Sequence, residues 1–596
     1  MQTIQDVHRQ FAGFFNNEAL APYIWLLSKR MQEGHICIHQ NDLTPFVPEL
    51  PYKPPFHPDT LKNQHSFIGT KPEAIKPFIL HKERLYLHRY FQYETQILKS
   101  IGQLLEQEAS VLASRMEACM RIGPVLEALK SEVPKGDVPS HEKIDWQTTG
   151  ALLGALHNFT IITGGPGTGK TTTVAKLLAI LYSIEPNCKV ALAAPTGKAA
   201  MRMAESLKQA KLPLDQKIKE KFSSLNPNTI HRLLKYKPDS VTFKHNRLNP
   251  LPYDVVIVDE ASMIDTALLS KLLEALHTNS RIILLGDKNQ LASVEAGSMF
   301  GDLCKSIENG NRLESKTCSF INNLIPNPEQ QITDDFIEAK KHPLSEHITE
   351  LVRSHRFTST GGIGKFSKAI LLNDEQELKK MIVSNEDPTV LIDTQSDQKL
   401  FDSFIDGYRD YILEPDIAQA LEKMNKLKVL CAVREGEQGL YTLNRKIEQY
   451  LQKQKLLQTD TEFYENRPVL VTRNYPDLKL FNGDIGIVRK DSKGSIRVWF
   501  EDSEKEIRSV MPGYLTDAET VFAMTIHKSQ GSEYPNVLVV LPHNTGNALL
   551  TRELLYTAVT RSKSRVLVQA PEAILFETTK GTVRRASGIN YRFDEI

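Results

Sequence analysis

Short runs of apolar residues recur along most of the chain, and polar residues do not alternate within them. Segments with helically spaced apolar residues lie between the runs. Strands that read as continuous apolar runs are buried on both faces, which is typical of parallel sheets covered by helices. The pattern predicts an α/β protein with two such domains in tandem, and its strands are expected at Phe159–Thr163, Val190–Ala194, Val255–Val258, Ile282–Leu285, Val429–Val433, Val521–Met524, Val537–Leu541 and Val566–Val568.

The first part of the chain has a different pattern. Residues 1–115 are predicted to be mostly helical, because apolar residues between Ile97 and Leu112 recur on one helical face. A proline cluster interrupts this pattern and cannot lie inside a helix. Its members are Pro45, Pro48, Pro51, Pro54, Pro55 and Pro58.

We therefore divide the chain into four parts. Residues 1–115 form a helical domain, 116–139 a linker that contains Pro and Gly, 140–350 the first α/β domain and 351–596 the second. Within the second domain, closely spaced strand-like runs between 465 and 515 are separated by Asn482-Gly483 and Lys493-Gly494 turns. These runs predict a small antiparallel β-barrel of the SH3-like kind, inserted into that domain.

Composition excludes several classes of protein but does not identify a partner. The 73 basic and 72 acidic residues balance, so nucleic-acid contacts have to come from local clusters. Six cysteines without a C-x-x-C pair fit neither a disulfide framework nor a zinc site and indicate a reducing compartment. Because the sequence shows no apolar leader and no long apolar run, we expect a cytosolic protein that does not enter a membrane.

The segment Gly164-Gly-Pro-Gly-Thr-Gly-Lys-Thr171 matches the phosphate-loop pattern. A strand-like run precedes this segment, and apolar residues at helical spacing follow it. A glycine-rich turn without a nucleotide-binding role would not require these two flanking elements. Backbone N–H groups of such a loop surround phosphates, Lys170 reaches the β- and γ-phosphates and Thr171 holds Mg²⁺. The predicted nucleotide-binding residues here are Gly164, Gly165, Pro166, Gly167, Thr168, Gly169, Lys170, Thr171 and Thr172.

Further polar residues suited to phosphate chemistry follow other apolar runs. Asp259 can bind Mg²⁺ through water and Glu260 can orient the attacking water, although such a pair alone is often a helix cap. Asp287 and Gln290 follow the next run, where they either sense the γ-phosphate or form a polar turn. Arg561 can face charge that develops on the γ-phosphate, a role that contributes several kcal/mol in such enzymes.

In this order, the segments resemble the motifs of superfamily I helicases. Gln147 resembles the adenine-reading Q motif, and Arg356 resembles the motif IV arginine near the γ-phosphate. Gly531 ends a segment that resembles motif V and is assigned to the nucleotide site with Asp287. By resemblance to motifs Ia, Ib and V, the DNA-contacting residues are Pro195, Thr196, Lys198, Thr229, His231, Thr525, His527 and Lys528.

Four more segments resemble the RecD family, the alpha subunits of exodeoxyribonuclease V, which belong to the 5′→3′ branch of this superfamily. They are Gly34–Ile38, Leu85–Tyr90, Leu430–Gly436 and Leu480–Gly486. The resemblance implies two RecA-like P-loop domains that bind ATP and Mg²⁺ between them. It also implies a heterotrimer with RecB and RecC that resects DNA ends, with the N-terminal domain docked on RecC. The implied catalytic residues are Lys170, Glu260, Gln290, Arg356 and Arg561, and the implied metal ligands are Thr171 and Asp259.

Some features remain open at this point. Residues 309–346 fit no family pattern, and the basic excursion at about 235–250 is either a strand-splitting hairpin or a solvated loop. A nucleotide-regulated scaffold subunit and a free-standing 5′→3′ helicase are the alternative functions. We expect no nuclease site in this chain, since outside the ATP site the sequence has no clear set of carboxylates and Lys for one.

Overall fold

In the computed structural model, the chain is described over residues 6–43, 50–53, 56–57, 59–133, 138–210, 212–213, 215–237, 240, 242–293, 295–307, 310–339, 342–357, 361–384, 387–502, 505–544, 546, 549–583 and 585–596. Of the proline cluster only Pro51 lies within these ranges, and residues 134–137 of the predicted linker and Asn309 lie outside them. None of the helices in these ranges combines the length and the apolar character that crossing a membrane requires.

The N-terminal region contains a four-stranded sheet, so the mostly helical prediction for 1–115 is wrong in part. The strands pair in the order β1-β4-β3-β2. A two-residue turn joins β3 to β4, and its residues Lys82 and Glu83 both have positive φ, which the sequence does not signal because Asn-Gly is usual there. The elements are α1 (Val7–Phe14), α2 (Ala21–Gln32), β1 (Cys37–His39), α3 (Asp59–Lys62), β2 (Ile68–Gly69), β3 (Phe78–His81) and β4 (Arg84–Leu87).

A long helix, α4 (His88–Met120), connects this region to the first motor domain. It runs through residue 116, where the linker was expected to begin, because its apolar face finds a partner along its whole length. Ile97, Ile101 and Leu104 are buried in the same core as the central strands of the first motor sheet. Two short helices follow, α5 (Gly123–Ala128) and α6 (Ser140–Lys143).

Six parallel strands form the first motor sheet, in the order β10-β5-β9-β8-β6-β7. The four strands expected here are present. The sequence reading missed the two edge strands, one next to the phosphate-loop strand and one of two residues at the opposite edge. The strands are β5 (Phe159–Gly164), β6 (Val190–Ala194), β7 (Asn228–Thr229), β8 (Val255–Val258), β9 (Arg281–Gly286) and β10 (Ile348–Leu351). The helices are α7 (Trp146–Leu156), α8 (Lys170–Ile184), α9 (Gly197–Lys208), α10 (Gln216–Ser224), α11 (Ile230–Leu233), α12 (Thr266–Glu274), α13 (Met299–Lys305) and α14 (Ser315–Leu324).

The segment 309–346, which matched no family pattern, packs onto this domain where it is described. Cys318 and Ile321 of α14 are buried in the core shared with α7 and α8. The Phe336 ring meets the Trp146 ring edge-on at 5.1 Å, and Asp145 donates a backbone hydrogen bond to Gln330. The segment therefore supports the start of α7, where Gln147 lies.

Five parallel strands form the second motor sheet, in the order β11-β20-β19-β12-β18. All four expected strands are present with shifted ends. The strands are β11 (Val390–Asp393), β12 (Leu427–Cys431), β18 (Ala523–Thr525), β19 (Tyr534–Val540) and β20 (Ser562–Gln569). The helices are α15 (Gly362–Leu372), α16 (Glu375–Ser384), α17 (Gln398–Ile405), α18 (Arg409–Ile412), α19 (Ile417–Met424), α20 (Leu440–Lys453), α21 (Arg552–Val559) and α22 (Glu572–Lys580).

The expected insertion is an antiparallel sheet with strand order β16-β15-β14-β13-β17 and its own small core around Val469, Val488 and Val498. Its strands are β13 (Pro468–Val471), β14 (Ile485–Lys490), β15 (Ile496–Glu501), β16 (Ile507–Val510) and β17 (Ala518–Thr520). Its closure into an SH3-like barrel stays a prediction. In the 235–250 excursion, Tyr236 and Phe243 form an antiparallel bridge.

The C-terminal segment leaves the second motor domain, which corrects the expected range 351–596. Ile589 and Phe593 are buried in the core of the first motor domain. The Arg592 guanidinium donates to Glu94 of α4, and both side chains are fully buried. Sequence pattern alone did not show this return because the segment has no long apolar run.

Candidate ATP site and nucleic-acid interface

The phosphate loop joins β5 to α8, as its motif requires. Gly167 and Gly169 have φ of +77° and +87°, which L side chains rarely adopt. A Cβ on Gly169 would lie 2.1 Å from Gln147 Nε2, and one on Gly167 would lie 2.4 Å from Arg356 Cβ. The Lys170 ammonium donates to the carbonyl oxygens of Gly164 and Gly165 at 2.6 and 3.1 Å. The loop is therefore closely packed, and the Lys170 side chain folds back over it.

Gln147 lies at the loop, where the Q-motif resemblance places it. Its amide donates to the backbone oxygen of Thr168 at 3.1 Å and lies 3.1 Å from His355 Nε2. Asp145 caps α7 by accepting from the backbone N–H of Thr148 at 2.9 Å. Gln147 is thereby fixed against the loop on a capped helix.

The carboxylates of Asp259 and Glu260 follow β8 on the same edge of the sheet. Burial, with the neighbouring Glu260 charge, raises the pKa of Asp259 to about 6, and Lys170 opposes the rise. Glu260 has a positive φ of 53°, a strained backbone conformation for this residue. A carboxylate whose charge is disfavoured by burial and by a neighbouring carboxylate fits a divalent cation, and Asp259 and Thr171 are the residues suited to hold it.

Asp287 lies at the contact between the two motor domains. It accepts hydrogen bonds from the Gln290 amide and the Tyr556 hydroxyl, both at 3.0 Å. Burial raises the pKa of Asp287, and Lys170 and these hydrogen bonds oppose the rise. Leu291 N–H donates to Thr557 Oγ1 at 2.9 Å, so the segment after β9 is joined to α21 of the second domain at two points.

Glu533 connects the predicted arginines of the second domain to the first. Its carboxylate lies 2.7 Å from Arg202, 2.9 Å from Arg356 and 3.4 Å from Lys563. Burial would raise the pKa of Glu533, but these cations lower it to about 2. Nη1 of Arg356 is buried and has no hydrogen-bond partner among the described residues, so its hydrogen-bonding capacity is unused in this structure.

Arg561 is almost completely buried beside this cluster. Its guanidinium donates to the backbone oxygens of Thr557 and Ser532, both at 3.2 Å. Arg202 donates to the backbone oxygen of Gly531 at 2.9 Å, which brings that glycine to the same contact. The contacts described above bring Gln147, Lys170, Asp287, Gln290 and Arg356 to the phosphate loop and the contact between the two domains, whereas Thr172 is exposed.

The eight predicted DNA-contacting residues line one cavity of about 1730 Å³ on the other side of this contact. First-domain, second-domain and insertion residues all contribute to its wall. Burial and the neighbouring Arg202 lower the pKa of Lys198 to about 8, and burial lowers that of His527. The predicted residues in the wall are Pro195, Thr196, Lys198, Thr229, His231, Thr525, His527 and Lys528.

The comparisons with known proteins agree with this geometry. Residues 148–296 match the model of an AAA domain, and residues 520–568 match that of a UvrD-like helicase C-terminal domain. The RecBCD enzyme subunit RecD of Haemophilus influenzae is 32% identical over 89% of this chain and 83% of its own length. The same subunit of Mycolicibacterium smegmatis is 32% identical over 95% of this chain and 92% of its own length.

The chain belongs to the RecD family. A more distant relative is the ATP-dependent RecD2 DNA helicase of Deinococcus radiodurans, 28% identical over 69% of this chain and 47% of its own length. A Pif1 helicase from Bacteroides, solved with ADP-AlF3 and single-stranded DNA, aligns with 74% of this chain and 93% of its own at 16% identity and a TM-score of 0.37. That structural score is too low to carry weight beside the sequence relatives.

The sequence reading missed several residues that this RecD family member places at the cleft. Glu533, Arg202 and Tyr556 make the contacts between the two domains described above. Glu533 comes two residues after Gly531, and Tyr556 five residues before Arg561, so proximity to the motifs was the available signal. Their roles depend on pairing between distant segments, which a single sequence does not display.

Proposed function

We propose that the chain is the ATP-dependent 5′→3′ DNA helicase and translocase subunit of a RecBCD-type complex. The observation that carries this proposal is the direct connection between the nucleotide cleft and the DNA cavity. Gln530 donates to Leu291 O at 2.8 Å, and Leu291 N–H contacts Thr557, so one short segment touches both places. Movement of the cleft would therefore displace the cavity wall.

In this proposal each cleft residue has a separate task. Lys170 neutralises the β- and γ-phosphates, while Glu260 orients the attacking water and accepts its proton. Gln290 senses the γ-phosphate through its contact with Asp287. Mg²⁺ held by Thr171 and Asp259 would supply charge neutralisation on the phosphates. Arg356 and Arg561 face the charge that develops there, and a preorganised cation stabilises a transition state without further reorganisation.

The release of Arg356 from Glu533 couples nucleotide binding to domain movement. Glu533 pairs with Arg356 of the second domain and with Arg202 of the first. A γ-phosphate that attracts Arg356 would weaken its attraction to Glu533. We infer that this exchange leaves Glu533 with Arg202, the contact that joins the two domains, while the phosphate adds a contact with Arg356 of the second domain.

The partners follow from the family rather than from a contact on the molecule. RecB and RecC are proposed as the other subunits, with the N-terminal region docked on RecC, and DNA ends in the bacterial cytosol as the substrate. Co-purification of the chain with RecB and RecC tests this assembly. A chain that unwinds DNA at full rate without them would favour the free-standing helicase.

A further inference from the structure

Phe481 and Arg232 are in contact in the wall of the proposed DNA cavity. Arg232 lies in α11 of the first motor domain, and Phe481 lies on the loop between β13 and β14 of the insertion. The guanidinium carbon of Arg232 is 4.2 Å from the centre of the Phe481 ring, and both residues line the cavity. The pair therefore bridges two parts of the molecule at a place where a strand would pass.

The loop that carries Phe481 is held firmly in place. Phe481 N–H donates to Asp484 Oδ2 at 2.7 Å, and Gly483 N–H donates to Val471 O at 2.8 Å. Asn482 accepts from the Lys528 ammonium at 3.2 Å, which ties the loop to a predicted DNA-contacting residue. An aromatic ring on a loop held by hydrogen bonds, partly exposed in the cavity wall, is preorganised for a flat partner.

Arg232 differs from Arg434 of the same cavity wall in having no acidic partner within the part of the chain that the structure describes. Arg434 is paired with the Glu519 carboxylate at 2.6 Å. No carboxylate among the described residues lies within ion-pair distance of Arg232, whose side chain is exposed and rests on the Phe481 face. A guanidinium that is itself exposed is held only weakly by a ring, so a phosphate can displace it.

We propose that Phe481 is a stacking platform for one base of single-stranded DNA and that Arg232 covers it while the cavity is empty. A base would take the face of the ring, and the guanidinium would turn to a neighbouring phosphate. Stacking on an aromatic ring is tolerant of sequence because every base has a π face, as a translocating motor requires. This inference rests on the proposed function, since it assumes that DNA occupies the cavity.

Phe481→Leu removes the aromatic face and keeps an apolar side chain of similar size. The full chain would be titrated with two fluorescent oligonucleotides of equal length, one of thymidines and one of abasic sites. We expect Phe481→Leu to bind the thymidine strand about tenfold more weakly and the abasic strand as the unchanged chain does. Phe481→Tyr should restore the preference for bases.

Phe463→Leu is the matched control. Phe463 packs against the core of the insertion and also has an arginine over its ring, with Arg467 Cζ 5.2 Å from the centroid, but it is outside the cavity lining. This variant should bind both strands normally. Arg232→Gln should keep the preference for bases and reduce the slope of log affinity against log salt by about 0.7, which is one phosphate contact.

The outcomes separate this inference from the proposed function. If the unchanged chain binds neither strand, the cavity is not a DNA site and both ideas fail. If it binds thymidines and Phe481→Leu binds them equally well, the stacking role alone is overturned. Equal weakening on both strands would also overturn it, because the ring would then only shape the cavity.

Discussion

Replacing Asp259 by Asn should make the chain more stable while abolishing ATP turnover. The cause is the cost of burying the charged Asp259 carboxylate, to which the neighbouring Glu260 charge adds. Burial and that neighbour raise the pKa of Asp259 from 3.8 to about 6. Each pKa unit corresponds to about 1.4 kcal/mol, so the charged carboxylate costs at most about 3 kcal/mol at neutral pH. Because water reaches part of the cleft, we expect about 1–2 kcal/mol.

The sign of the pH dependence follows from the raised pKa. An acid whose pKa is higher in the folded state binds more protons when folded, so its stability contribution falls as pH rises from about 4 to 6. The stability advantage of Asp259→Asn should therefore be small at pH 4.5 and complete at pH 7. Thermal unfolding in EDTA should show a midpoint about 2–8 °C higher for the variant at pH 7.

Two comparisons make this prediction refutable. Asp460→Asn removes a charge from an exposed residue away from the cleft and should leave the midpoint unchanged. Added Mg²⁺ and ATP should stabilise the unchanged chain by mass action and the Asp259 variant much less. A lower midpoint for Asp259→Asn in EDTA at pH 7 would refute the reasoning, since it would mean that the charge stabilises the fold.

Three further predictions address the other parts of the site. Arg561→Ala should still bind a fluorescent ATP analogue but hydrolyse ATP at least a hundredfold more slowly, and loss of binding would contradict its role toward transition-state charge. Glu533→Gln should lower the DNA-stimulated kcat by a larger factor than it raises the KM for ATP, because the substitution breaks a contact between the domains. An unchanged kcat in steady-state assays would count against this. Lys198 should lose its proton as pH rises through about 8, so single-strand affinity in anisotropy titrations should fall between pH 7 and 9, and Lys198→Arg should remove that fall because Arg stays charged.

The motor strands could be predicted because both faces of each strand are buried. Runs such as Val255–Val258 and Ile282–Leu285 therefore have no polar residue to obscure them, and motif residues at their ends follow directly. The N-terminal sheet was not predicted, since its strands are short and its tight turn uses Lys82 and Glu83. The phosphate loop was readable because its spacing encodes a local structure.

Contacts between distant segments could not be read from one sequence. Glu533 pairs with Arg202 and Arg356, which lie far from it along the chain, and the fully buried Arg592 pairs with Glu94. A buried ion pair has no periodic signature, and each partner alone resembles an ordinary surface charge. The same applies to the contact of Arg232 with Phe481, which depends on how the insertion lies against α11.

The most direct test of the central claim is strand unwinding with RecB and RecC present, using duplexes that carry either a 5′ or a 3′ single-stranded tail. The unchanged chain and Lys170→Gln should be compared in the same complex, so that the difference between them reports the activity of this chain. We predict Mg²⁺- and ATP-dependent unwinding from the 5′ tail that Lys170→Gln abolishes while the complex still assembles. Unwinding that is unaffected by Lys170→Gln, or that starts only from the 3′ tail, would contradict a 5′→3′ motor in this chain.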